Sequence, residues 1–151
     1  MRPAGRVVQG LVVAQLWCAA TYLELALRRQ PFPDLAARWS AAATSRVGRG
    51  LPLAASLLET DRLYRLAALA SRWWRQDRGC LSRALLAWWI ELARDGEAAI
   101  VIGVRRDARA PFAAHAWVEV GGQVRGEALD PTVCFRELVR YGPSLASGAR
   151  P

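Results

Sequence analysis

After Gly96 the apolar pattern of this chain changes period, and that change restricts the fold more than any other feature. Before it, apolar residues recur three and four apart. Between Leu57 and Trp74 they fall at Leu63, Leu66, Ala67, Ala70, Trp73 and Trp74. Between Cys80 and about Ala93 they fall at Leu81, Leu85, Trp88, Trp89 and Leu92, again the spacing of a helix with a buried face. Beyond Gly96, Ala99-Ile-Val-Ile-Gly-Val104 is a β-branched run of strand length and Phe112 to Val120 is a second. Val124 to Leu129 follows Gly121-Gly122 as a third and ends at Pro131. Thr132 to Tyr141 is expected to close the domain as a short helix. Helices first and a small antiparallel sheet second define an α+β domain.

The front of the chain is helical by the same test. Residues 6–29 lack proline and end in Arg28-Arg29 ahead of Pro31 and Pro33, and Leu35 to Thr44 predicts a second helix. Gly48, Gly50 and Pro52 mark a loop at 45–52. Residues 1–50 are therefore expected as an N-terminal helical segment and 51–151 as the main body of a single domain, 1–151. That length buries a core without a disulfide or metal staple. Gln9, Gln15 and Glu24 interrupt the apolar stretch from Val7 to Leu27, which counts against a membrane span, and no cleavage site marks a signal peptide. Val8, Leu11, Val12, Leu16, Leu23 and Leu27 still give more apolar surface than a lone helix needs. The helix is expected to join the core or dock a partner.

The net charge of +8 arises from 21 basic residues, all arginine, against 13 acidic ones. No basic block is longer than Arg28-Arg29 or Arg105-Arg106. That scatter describes a solvated surface attractive to acidic peptides rather than a nucleic-acid stripe. The three cysteines, Cys18, Cys80 and Cys134, stand far apart and only one histidine is present, which argues against a zinc site. An odd cysteine count suits a reducing cytoplasm.

Cys80 follows a glycine and opens a predicted helix. There the helix N-terminus and nearby Arg78 and Arg83 favour thiolate, the nucleophilic form. His115 sits in the run Ala113-Ala-His-Ala-Trp-Val-Glu-Val120, a rigid strand from which an imidazole can act as base if a third group orients its other nitrogen. Strand register suggests that third group. With a three-residue loop, Val120 faces Val124, Val118 faces Gly126 and Glu119 meets Arg125. A two-residue loop instead sets Glu119 against Val124, so the longer loop is preferred. Glu127 then lies diagonal to His115 on one face, whereas Asp130 falls on the other unless a bulge intervenes. Glu127 ranks ahead of Asp130 as the orienting acid. Trp117 shares the face of His115, where it either walls the cleft and contacts a bound peptide or packs in the sheet.

The segments Cys80-Leu-Ser-Arg-Ala-Leu-Leu-Ala-Trp-Trp89, Val101-Ile-Gly-Val-Arg105 and Phe112-Ala-Ala-His-Ala-Trp-Val-Glu-Val120, followed by Gly122, resemble the transglutaminase-like leader peptidases of lasso-peptide biosynthesis. The closer likeness is to the standalone form, whose leader-recognition domain is a separate protein, and it covers about residues 57–142. The resemblance implies a papain-like cysteine, histidine and acid, the first two at Cys80 and His115. The family's acid, usually aspartate, comes about a dozen residues after the histidine, where this chain has Glu127, and Asp130 is the nearest aspartate. Also implied are a precursor peptide as substrate, a separate protein bearing the leader-recognition element as partner, and the lasso cyclase as a further one. No metal or organic cofactor is called for, and neither nucleic acid nor membrane is expected as a partner. Two rivals follow from the same residues: acyl transfer to an amine, and a non-catalytic adaptor that binds acidic peptide or nucleic acid through its arginines.

Overall fold

The switch from helix to strand falls where the period changes. A computed structural model describes residues 3–44, 58–71, 79–94, 97–105 and 113–142. Among these residues the order is α1 (Pro3–Arg29), α2 (Phe32–Thr44), α3 (Thr60–Ser71), α4 (Gly79–Ala93), β1 (Ala98–Arg105), β2 (Ala114–Val120), β3 (Gln123–Arg125), a 3-10 turn (Pro131–Val133) and β4 (Phe135–Tyr141). The expected loop at 45–52 lies outside the described residues, as do Trp73, Trp74, Arg78, Gly96 and Phe112.

The core is built around α4. Leu85, Leu86, Trp88 and Ile90 are each at most 1% exposed, and burying each contributes roughly 1.5–3 kcal/mol. The helix packs against α1 and α3 on one side and β1 and β2 on the other. The Trp88 indole N–H donates to the Ala98 carbonyl at 2.9 Å, tying α4 to the start of β1. On α1, Val12, Leu16, Ala20 and Leu23 join the same core. Glu24 is buried too, beside Ser82 of α4 and Arg28. The opposite face of α1 exposes Val7, Leu11, Trp17, Tyr22 and Leu25. By length and composition, Val7–Arg29 is sufficient to cross a membrane, and 28% of its most apolar window is buried within the fold.

The sheet has the order β3-β2-β1-β4, all neighbours antiparallel. Ala98, Ile100, Ala116 and Val118 form the face toward the helices, and Trp117 and Glu119 alternate with them onto the outer face. Gly103, paired with His115, is small for a steric reason: a Cβ there would lie 2.7 Å from the Trp117 ring and 2.8 Å from the Arg136 carbonyl oxygen.

Three expectations are corrected. The β2–β3 loop has two residues, with Val120 opposite Gln123 and Glu119 opposite Val124. Gly121 and Gly122 both have positive φ, 57° and 78°, which suits the tight turn that matches sheet twist. That backbone preference outweighs the Glu119–Arg125 pairing. Residues 135–141, expected within a closing helix, form strand β4 instead. Its register shifts between Ile102 and Gly103, so Leu138 bulges out and Glu137 and Arg140 share a face although they are three apart. Arg140 Nη2 lies 2.7 Å from Glu137 Oε2, and the helical-looking spacing of this ion pair is a product of the bulge. The third strand is also shorter than expected, ending at Arg125 because Gly126 adopts φ 71°.

Gly103→Ala is expected to lower stability by about 1–3 kcal/mol in urea unfolding, since ring and backbone both confront the new methyl. Gly10→Ala meets nothing within 4 Å inside a helix. It should raise stability by about 0.5–1 kcal/mol.

Candidate active site

Cys80 is the second residue of α4, so its sulfur lies where helix N–H groups have no partner within the helix. The His115 imidazole and the main-chain N–H groups of Ala116 on β2 and of Leu81 are the groups that favour its negative form. Among the described residues, β3 pairs only with residues 118–120, and the first half of β2 has no strand partner along that edge, where the start of α4 approaches.

His115 occupies this free stretch of β2. Its ring lies between Trp117, nearly parallel at 6.3 Å, and Phe135 of β4 at 5.2 Å. Its Nε2 lies 3.5 Å from Glu127 Oε2. With Nε2 turned to the carboxylate, Nδ1 is the nitrogen available to the sulfur. The two rings and the carboxylate together fix the imidazole plane.

Glu127 reaches His115 by a route the ladder alone does not provide. Continued past Arg125, the observed register sets residue 127 opposite Ala116, on the helix side of the sheet. The left-handed turn at Gly126 breaks that alternation. Gly126 is also pressed by Tyr64, whose ring would lie 3.0 Å from a Cβ at that position. The Tyr64 hydroxyl in turn donates to Glu91 on α4 at 2.6 Å. Glu127 is thus brought to His115, as expected, but by a kink rather than by register. Arg83 Nη2 donates to both of its oxygens, at 2.7 and 3.0 Å.

Asp130, Cys18 and Cys134 form no part of this cluster, whereas Trp117 stacks beside the His115 ring. Asp130 caps the 3-10 turn, accepting from the Thr132 N–H at 2.9 Å and its hydroxyl at 2.7 Å. Those two bonds hold its carboxyl below the usual carboxylate range. Trp117 is 1% exposed, and its indole N–H donates to Glu119 at 2.9 Å. It floors an outer-face groove of about 860 Å³ that includes Glu127, Phe135, Glu137 and Arg140. Cys18 and Cys134 are exposed thiols. Phe135 was missed as part of the site because its segment was expected to be helical. Arg83 was assigned to the thiol, whereas its guanidinium sits on Glu127.

The electrostatics match the geometry. The Cys80 thiol is held below its ordinary value, first by the hydrogen bond to His115 and then, against desolvation, by the Ala116 N–H and the imidazole charge. His115 is pushed up to about 9, first by Cys80 and next by Glu127, against the opposing effect of burial. These are two ends of one interaction, in which negative sulfur and protonated ring stabilise each other. Such a pair supplies a nucleophile and a proton donor together.

The Transglutaminase-like superfamily model matches residues 19–140, well over half of the chain, and the protein belongs to that superfamily. The match begins inside α1, so the family region extends well forward of the motifs at residues 80–122. No curated protein and no solved structure matches the chain. The superfamily, with this fold, is that of cysteine peptidases and thiol acyltransferases, whose common step is thioester formation.

Iodoacetamide should alkylate Cys80 at neutral pH faster than Cys18 or Cys134, as read by peptide mass spectrometry. The lowered thiol keeps its reactivity as pH falls below the ordinary value of 9.0, and the imidazolium persists until about 9. His115→Ala should cut the Cys80 rate at pH 7 by about tenfold or more, because each pH unit of thiol shift changes the thiolate fraction about tenfold.

Proposed function

We propose that this protein is a cysteine peptidase that removes the leader from a lasso-peptide precursor before a separate cyclase acts on the freed amine. The supporting observation is the Cys80–His115–Glu127 arrangement, with the proton drawn onto the ring. The substrate assignment rests on the resemblance of the three motifs at residues 80–122. Cys80 sulfur attacks the scissile carbonyl, forming a C–S bond as the carbonyl π pair moves to oxygen. The helix-start N–H groups face that developing charge. Collapse expels the amine, which takes its proton from His115, and leaves a thioester. His115, now neutral, takes a proton from water as it attacks the thioester; the C–S bond then breaks, returning the Cys80 thiolate beside the imidazolium and releasing the leader acid, which loses its proton to solvent. Glu127 holds the ring throughout.

Partner and location belong to the same proposal. A separate leader-binding protein presents the precursor, and the outward stripe of Leu11, Trp17 and Tyr22 on α1 is where it docks, the reaction taking place in the cytoplasm. Leu11→Gln with Trp17→Ser should weaken binding to that partner at least about tenfold while leaving the unfolding free energy within about 0.5 kcal/mol, because these side chains are exposed.

Mass spectrometry of the precursor, incubated with this protein and the leader-binding partner, tests the reaction. Wild type, Cys18→Ala and Cys134→Ala should each split it into leader and core, and Cys80→Ala should not. Glu127→Gln should slow the split by about 10²-fold or more, whereas Asp130→Asn stays within about twofold. An amide-linked conjugate in place of free core would establish acyl transfer. No product, with the partner bound to the leader, would remove the peptidase reading.

A further inference from the structure

Glu127 makes its tighter contacts with an arginine, not with the histidine it serves. Arg83 Nη2 lies 2.7 and 3.0 Å from the two carboxylate oxygens, while His115 Nε2 is 3.5 Å from Oε2. Arg83 also follows Cys80 by three residues on α4, which puts both on one side of the helix. From these contacts we infer that Arg83 is a positioning residue: it fixes the Glu127 carboxylate from the nucleophile's own helix, so that Oε2 faces the His115 ring. The inference rests on the catalytic reading of Cys80 and His115.

Glu127 extends from a kinked segment beyond the end of β3, with no ladder to hold it. Its side chain has several rotatable bonds, and a contact of 3.5 Å to the ring is too long to fix them alone. Arg83 supplies the missing restraint. The pair is partly shielded, with side-chain exposures of 36% and 14% for Arg83 and Glu127. Tyr64 from α3 and Arg125 from β3 line its other side. Among the described residues, the other side chains on the His115 ring are the Cys80 thiol and the uncharged rings of Trp117 and Phe135.

A positioning role and a mere charge effect predict opposite signs. If Arg83 acts only as a nearby cation, removing it relieves repulsion of the imidazolium and the ring's pKa rises. If it aims Glu127, removing it frees the carboxylate to turn away and the ring's pKa falls from about 9. His115 is the sole histidine, so its ring signals in an NMR titration need no assignment. Arg83→Gln is expected to lower that pKa by about one pH unit or more, approaching Glu127→Gln. Arg83→Met, a second neutral variant, should do the same. Arg83→Lys retains one charged nitrogen for the two contacts and should stay nearer to wild type. In the Glu127→Gln background, Arg83→Gln should add no further fall. An unchanged or higher pKa in the neutral single variants, or an equal fall with Glu127 already removed, overturns the inference. The readout needs no peptide substrate, so a failure of the peptidase assignment leaves it separately decided.

Discussion

The packing of α4 onto β1 and β2 sets the distance between a thiol and an imidazole that come from different elements. Neither group is reactive alone. A thiol in isolation is mostly protonated at neutral pH, and an isolated imidazole mostly neutral. The buried Leu85, Trp88 and Ile90 bring the helix start against the edge of β2, and the Trp88–Ala98 hydrogen bond fixes the register of helix on strand. From that contact follow the shared proton, the main-chain donors at the sulfur and the reach of Arg83 to Glu127. The helix is therefore both the centre of the core and one wall of the site.

The acid is held by a separate arrangement converging on the same helix. Tyr64 on α3 presses Gly126 with its ring and bonds Glu91 of α4 with its hydroxyl. The kink that turns Glu127 toward His115 is thus referred back to the helical layer. Asp130, three residues on, is occupied in ending its own segment. Its carboxylate serves Thr132 and the turn that starts the path into β4.

How much of this was legible in the sequence depends on which physical signal decided each element. The helix from Cys80 and the strand around His115 follow from apolar period, because burial on one face and regular backbone bonding point the same way there. Cys80 and His115 were accordingly found as a pair. The β2–β3 register was misjudged because cross-strand charge pairing was weighed above the backbone freedom of Gly121-Gly122, and a pair worth a few tenths of a kcal/mol does not displace a favoured turn. Residues 135–141 form strand β4 rather than the expected helix, and the bulge at Leu138, set by pairing with the distant β1, leaves no regular alternation along the segment to report it. Glu127 was reached by an argument whose register does not hold, and Gly126, the residue responsible, gives only the generic signal of a glycine at a strand end. The Arg83–Glu127 contact joins residues 44 apart, which no local pattern reports.

Part of the thiolate's support comes from the main-chain N–H groups of Leu81 and Ala116, and this gives the site an uneven tolerance to sequence drift. Every residue except proline carries the same donor. Substitution at either position therefore leaves the sulfur's main-chain contacts in place so long as the backbone path is kept. The selective burden on positions 81 and 116 concerns volume, since both side chains pack with the core, and not chemistry. His115 has no such latitude, because its donor is a side chain. The sequence at positions 81 and 116 can therefore vary while the main-chain groups near the Cys80 sulfur stay constant.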